Sequence, residues 1–83
     1  MTLTVRYFAW VRERVGTASE EVATTAPTVE ALVGELSARD EMHALAFADM
    51  AAVRVAVDQE MAEMSSPIIG AQEVAFFPPM TGG

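Results

Sequence analysis

A two-layer α+β domain, with a mixed sheet carrying one main helix on one face, is the fold class this sequence predicts. Three observations carry it. Apolar and polar residues alternate at Leu3, Val5 and Tyr7 and again at Val53, Val55 and Val57, which is the period of a half-buried strand. Between them Val29, Leu32, Val33 and Leu36 recur at i, i+3, i+4 and i+7, one apolar stripe of a helix. The segments follow in the order strand, strand, helix and then two or three strands, with no repeat, linker or domain boundary between them.

Thr2 to Phe8 is the first strand, with Leu3, Val5 and Tyr7 facing one way and Thr2, Thr4 and Arg6 the other. From Ala9 to Val15 the period changes, because Val11 and Val15 stand four apart, so a short helical turn is expected. Gly16 is placed to end it in a left-handed conformation. Glu20 to Thr25 reads as a second, edge-like strand with a charged start, joined to the first in a hairpin with a long connection. Pro27-Thr28 opens the main helix. Thr28 suits the N-cap, Glu30 lies in the first turn and Arg39 near the end, each complementing the helix dipole. Asp40 to Ala51 fits either a second short helix or an ordered loop. Ala52 to Val57 alternates again, Asp58-Gln59 makes a tight turn, and a short return strand is expected around Glu60 to Met64. Ser65-Ser66-Pro67 is loop chemistry. Ile68-Ile69 reads as an apolar plug, and Glu73 to Phe77 as the final strand.

The 83 residues suffice for one small domain, and 52% hydrophobic composition supports a packed core. There is no cysteine, which excludes a disulfide, a thiolate metal site and a cysteine nucleophile. The formal net charge of −7 disfavours nucleic acid, whose phosphates repel an acidic surface, and suits either a basic partner or solubility alone. All five basic residues are arginine (Arg6, Arg12, Arg14, Arg39 and Arg54), so no lysine can form a Schiff base or receive an isopeptide conjugate. No signal peptide and no membrane-spanning run is visible, and a cytoplasmic protein is expected.

The last ten residues, Val74-Ala75-Phe76-Phe77-Pro78-Pro79-Met80-Thr81-Gly82-Gly83, carry the functional signal. Val, Phe and Phe favour a pleated surface, and the two prolines then stop the ladder because neither has an N–H to donate. Two terminal glycines are a poor way to finish a fold, since glycine loses the most freedom on ordering, and a good way to thread backbone into a narrow slot. From Met80 to Gly83 an extended chain reaches roughly 13 Å. The domain reads as a holder that presents a carboxylate. Phe77 is expected outside the core, opposite to Val74 and Phe76, as part of an apolar patch with Pro78 and Met80.

Other candidates are weaker. His43 is the sole histidine and has no ligand neighbours in sequence, so a surface or helix-end place is expected and a metal role is not. Met42, Met50, Met61 and Met64 read as gap-filling core. Glu60 and Glu63 read as a solvated edge. Neither Glu20-Glu21 nor Asp40-Glu41 makes a two-carboxylate catalytic site, because the members of each pair point apart. With no base, nucleophile, oxyanion hole or phosphate-binding glycine loop, the chain alone is expected to catalyse nothing.

Phe8-Ala9, Val11-Arg12-Glu13, Val15-Gly16, Pro27-Thr28-Val29-Glu30-Ala31-Leu32 and above all the ending Phe-Phe-Pro-Pro-Met-Thr-Gly-Gly resemble the MoaD/ThiS family of ubiquitin-like β-grasp sulfur carriers. The resemblance runs nearly end to end. It departs at Asp58, where the family often has Asn, and at Gly70-Ala71-Gln72-Glu73, where Asp-Gly-Asp-Glu is usual. It implies a β-grasp domain over residues 1–77 and an extended tail over 78–83, with the first and last strands parallel at the sheet centre. It also implies that an E1-like adenylating enzyme uses ATP to activate Gly83, which then becomes a thiocarboxylate. The sulfur goes to cyclic pyranopterin monophosphate in molybdopterin synthesis, inside a large catalytic subunit of molybdopterin synthase. Phe76, Phe77, Pro78, Pro79, Met80, Thr81 and Gly82 would contact the partner, and no cofactor would be bound by the carrier itself. Two alternatives stay open: a carrier for another acceptor, in thiamine or cysteine synthesis, and a β-grasp binding module without sulfur chemistry.

Overall fold

The computed structural model describes residues 1–79. The elements run β1 (Thr2–Tyr7), α1 (Ala9–Val15), β2 (Ser19–Ala23), α2 (Val29–Arg39), α3 (Glu41–Ala46), a 3₁₀ turn (Met50–Ala52), β3 (Arg54–Val57), β4 (Glu60–Ala62) and β5 (Glu73–Phe77). The sheet order is β2-β1-β5-β3-β4, with β1 and β5 parallel and every other neighbour antiparallel. The helices cover one face and leave the other open.

β1 buries Leu3, Val5 and Tyr7, as the alternation requires, and β5 buries Val74 and Phe76 on the same side. Register aligns them: Val5 lies opposite Val74 and Tyr7 opposite Phe76. Val29, Leu32, Val33 and Leu36 of α2 close over this row. Tyr7 and Phe76 stack at 6.2 Å between ring centroids, and Phe47 meets Phe76 edge-on at 4.9 Å. Asp40 to Ala51 thus resolves as α3 and the 3₁₀ turn, and Phe47 just after α3 supplies an aromatic to the core.

Side chains set the helix ends. Thr28 accepts from the Ala31 N–H at the start of α2, and Asp40 accepts from the His43 N–H at the start of α3. Two further N–H groups of the first turn of α2, from Val29 and Glu30, donate to the carbonyls of Ser66 and Met64, so the 63–68 loop satisfies what the helix cannot. Gly16 ends α1 at φ 93°, and a Cβ there would lie 3.0 Å from Met42 Cε.

Three expectations change. Only Ile68 of the apolar plug is buried, while Ile69 is exposed. Met50 and Met64 pack against the core, but Met42 and Met61 are exposed, because α3 turns Met42 outward and β4 is an edge strand facing solvent. His43 has the helix-end place expected, in the first turn of α3, but is buried rather than superficial; α3 packs on α1 and α2 and so brings its ring to Glu20 of β2, which no local pattern announces.

Candidate functional site

β5 sits between β1 and β3, so hydrogen bonds hold its backbone on both sides. Its outward residues are Glu73, Ala75 and Phe77, and the strand runs straight into Pro78 and Pro79. Across the ladders Arg6 lies opposite Ala75, Ala56 opposite Ala75, and Arg54 opposite Phe77. Two alanines side by side on a sheet face leave a hollow, since neither extends beyond Cβ. Arg6, Phe8 and Ala9 rim it on one side, Phe77, Pro78 and Pro79 at the end towards the tail, and Gln59 and Glu73 at the other. The open depression measures about 680 Å³ and is mostly apolar.

The rim is shaped by backbone as well as by side chains. The Phe8 N–H donates to the Phe76 carbonyl at 3.0 Å, which locks the end of β1 to β5, and Phe8 is left exposed. Ala9 follows at φ 52°, a left-handed conformation that costs a non-glycine residue on the order of 1–2 kcal/mol. Arg6 lies over the Phe8 ring at 5.2 Å, and its Nη1 reaches Glu73 Oε1 at 3.5 Å. That pair is exposed and long, so it contributes little to stability.

The Asp58-Gln59 turn supports the far end. Both residues have positive φ, 48° and 69°, in a two-residue hairpin loop between Val57 and Glu60. Asp58 Oδ1 accepts from the backbone N–H groups of Gln72 and Glu73 at 2.9 and 3.0 Å. The carboxylate at position 58 thereby anchors the 70–73 turn from outside, where this chain lacks the acidic residues usual in the resembling family.

Of the expected partner-contact residues, Phe77, Pro78 and Pro79 line the depression at intermediate exposure. Phe76 does not: it is fully buried against Tyr7 and Phe47, because alternation along β5 turns it to the helical side. That corrects its assignment to the contact surface; it seats the strand instead. Met80, Thr81, Gly82 and Gly83 lie outside the described residues. Phe8, Ala9, Arg6 and Ala56 were not singled out as contact residues by the sequence, although outward alternation from Arg6 and the exposed position of Phe8 after it were the available signal.

On the helical side the acidic pairs diverge as expected, with Glu21 taking the Thr4 hydroxyl at 2.8 Å, but one member of each converges on His43. His43 Nε2 lies 2.7 Å from Glu20 Oε2, and Nδ1 lies 2.8 Å from Asp40 Oδ1. The Tyr7 hydroxyl donates to Glu20 at 2.7 Å and Arg39 donates to it at 3.0 Å. Burial alone would raise the Glu20 carboxyl; hydrogen bonds from His43 and Tyr7 and the Arg39 charge outweigh it and hold the group below its ordinary value. Asp40 is lowered by the His43 backbone N–H and by the imidazole. Burial, then the bond to Glu20, pushes Tyr7 well up. These contacts tie β1, β2, α2 and α3 together, with Glu20 at the centre of the cluster. Among the described residues no group of His, Asp and Glu could hold a metal ion.

Comparison with known proteins agrees with this geometry. The ThiS family matches residues 5–83. The chain is 47% identical over 79 residues to the molybdopterin synthase sulfur carrier subunit of Escherichia coli, covering 95% of this chain and 96% of that one. It is 33% identical over 81 residues to the protein of the same name from Haemophilus influenzae, covering 98% and 99%. The crystal structure of SAMP1 from Haloferax volcanii superposes with a TM-score of 0.76 over the full length of both chains at 22% identity, a likeness of fold.

Proposed function

The chain belongs to the ThiS family, and from that premise we propose that it is the sulfur carrier subunit of a molybdopterin synthase, working in the cytoplasm. The observation that carries the reading is the combination at β5. The central strand of the sheet leads directly into a Pro-Pro step beside an open apolar depression, and the sequence goes on as Met-Thr-Gly-Gly. The identity of 47% and 33% to two proteins named as sulfur carrier subunits supports it.

The chemistry follows from what a carboxylate lacks. Its leaving group would be oxide, so sulfur cannot displace oxygen without activation. An E1-like adenylating enzyme, holding ATP, joins the Gly83 carboxylate to AMP and releases pyrophosphate. A hydrosulfide then displaces AMP to give the thiocarboxylate; a persulfide does so through an acyl disulfide that a thiol reduces. The loaded terminus enters the large catalytic subunit and gives its sulfur to cyclic pyranopterin monophosphate. Gly82 and Gly83 project no side chain into the slot. Phe77, Pro78 and Pro79, with Phe8 and the alanine floor, form the surface on which that subunit docks. The carrier supplies no acid, base or bound cofactor; the activating enzyme and the large subunit supply the catalysis.

Intact mass tests the reading. Incubated with the adenylating enzyme, ATP and a sulfur donor, the full-length protein is expected to gain the increment of one oxygen replaced by sulfur, and then to support molybdopterin formation with the large subunit. A chain lacking Gly83 presents its carboxylate roughly 3.5 Å short, comparable with the whole reacting separation of about 3–3.5 Å, and is expected to fold yet fail to deliver sulfur. Full activity from a protein with a permanently blocked C-terminus would end the proposal.

A further inference from the structure

We propose that Arg6 is the polar specificity element of the docking face: it takes a carboxylate of the large subunit while an apolar side chain of that subunit fills the hollow over Ala56 and Ala75. The inference rests on the reading of the chain as a carrier subunit and goes beyond it by naming what the partner must present.

The hollow is the first half of the argument. Ala56 and Ala75 are register partners at the middle of the sheet, and the depression above them is bounded by Phe8, Phe77 and the two prolines. A side chain entering there meets apolar walls on three sides. The second half is Arg6. Its guanidinium carries five N–H donors, and among the described residues its one ion-pair contact is the 3.5 Å approach to Glu73, with the two side chains 48% and 22% exposed. The other arginine on this face, Arg54, already donates through Nη1 to the carbonyls of Ala51 and Val53. Arg6 is also held in place by its position over the Phe8 ring, so little freedom is lost when it engages a ligand.

Docking over the apolar floor would strip water from Arg6. A guanidinium desolvated beside a single long contact is costly, and the cost is removed only if the incoming surface brings an acceptor. The planar fork matches a carboxylate in two parallel bonds, which a lysine in the same place could not reproduce. An acidic protein of net charge −7 would in general recruit a basic partner. The structure assigns a local exception: one carboxylate of that partner, set beside an apolar knob, at the root of the tail.

The test is a binding titration of full-length carrier variants with the purified large subunit, paired with the sulfur-transfer assay and with thermal melts. Arg6→Glu is expected to weaken binding on the order of a hundredfold, since it sets a like charge against the partner's carboxylate, with melting lowered only slightly, because Arg6 is exposed and the new carboxylate meets only Glu73. Arg6→Lys keeps the charge and loses the fork, and should fall between that variant and the wild type. Ala75→Leu fills the hollow and should cost roughly tenfold. Arg14→Glu, which makes the same change in net charge on the helical side, should bind as the wild type does. Equal binding by Arg6→Glu, or an equal loss with Arg14→Glu, overturns the assignment of Arg6 while the carrier reading stands. Failure of the wild-type protein to bind the large subunit or deliver sulfur overturns both.

Discussion

The two faces of the sheet are built on opposite terms. On the helical face, Glu20, His43, Asp40, Tyr7 and Arg39 satisfy one another at 2.7–3.0 Å, and among the described residues no buried side-chain N or O atom lacks a partner. On the open face, the corresponding ion pair is loose at 3.5 Å, aromatic and proline surface faces water, and the floor is two alanines. A fold of this size is marginally stable and its buried polar groups must be paired to survive. Where such economy is absent, the surface is shaped by something other than folding. The contrast separates residues that hold the carrier together from residues that meet a partner, and the division runs between neighbours in the chain.

Phe76 and Phe77 put that division to its hardest test. Phe76→Ala removes a fully buried ring packed between Tyr7 and Phe47 and should cost about 3–5 kcal/mol. That is a large part of the roughly 4–12 kcal/mol available to a domain of this length, so the variant should be substantially unfolded at physiological temperature. Phe77→Ala, one residue on, should cost about 1 kcal/mol of stability and weaken binding to the large subunit. Thermal melts and binding titrations of the two variants decide it. A Phe77→Ala melt as low as that of Phe76→Ala would place Phe77 in the core and abolish the distinction between the faces.

Glu20 sharpens the other side. Its carboxylate serves Tyr7, His43 and Arg39 together, so Glu20→Gln should cost about 1–3 kcal/mol through groups left poorly paired, while binding to the partner stays unchanged. The pH dependence has a fixed sign. Glu20 and Asp40 are both lowered in the fold from ordinary values of 4.5 and 3.8, so the unfolded chain binds protons first as pH falls. Their contribution is complete above about pH 4.5 and is lost as pH drops through the lowered values. Tyr7 acts at the other end: raised from 10.0, it favours the fold below that pH and opposes folding's stability above it, when only the unfolded chain can release its proton. Melting temperature against pH should therefore fall off on both sides, and Glu20→Gln should flatten the acid limb. An acid limb unaltered by the substitution would show that the cluster is not what the low-pH loss reports.

The strands and main helix were legible because period and burial agree there: Leu3, Val5 and Tyr7 alternate and are buried, and Val29 to Leu36 face the core in one stripe. The prolines marked the end of β5, and alternation placed Phe77 outward. The His43 cluster was not legible, because its members come from four separate elements and sequence shows only neighbours: Glu20 and Glu21 do point apart, and the convergence of Glu20 with Asp40 exists only once α3 packs on α1 and α2 and brings His43 between them. The hollow over Ala56 and Ala75 escaped for the same reason. Two alanines nineteen positions apart carry no signal until the ladder sets them side by side.

The smallest expected effect belongs to the turn at the far end of the open face. Asp58 and Gln59 both adopt positive φ, yet only Asp58 has a compensating task, accepting from the N–H groups of Gln72 and Glu73. Gln59, at φ 69°, makes no side-chain hydrogen bond among those the structure shows and bears the strain of a left-handed residue with a Cβ. Gln59→Gly removes that strain, although glycine also widens the unfolded ensemble and returns part of the gain. The net expectation is a stabilisation of about 0.5 kcal/mol, read as a small rise in denaturant midpoint with unchanged slope. Asp58→Gly, by contrast, relieves the same kind of strain but releases the 70–73 turn, and should lower the midpoint. If both substitutions stabilise, the Asp58 carboxylate is not what holds the turn, and the support proposed for the rim at Glu73 falls with it.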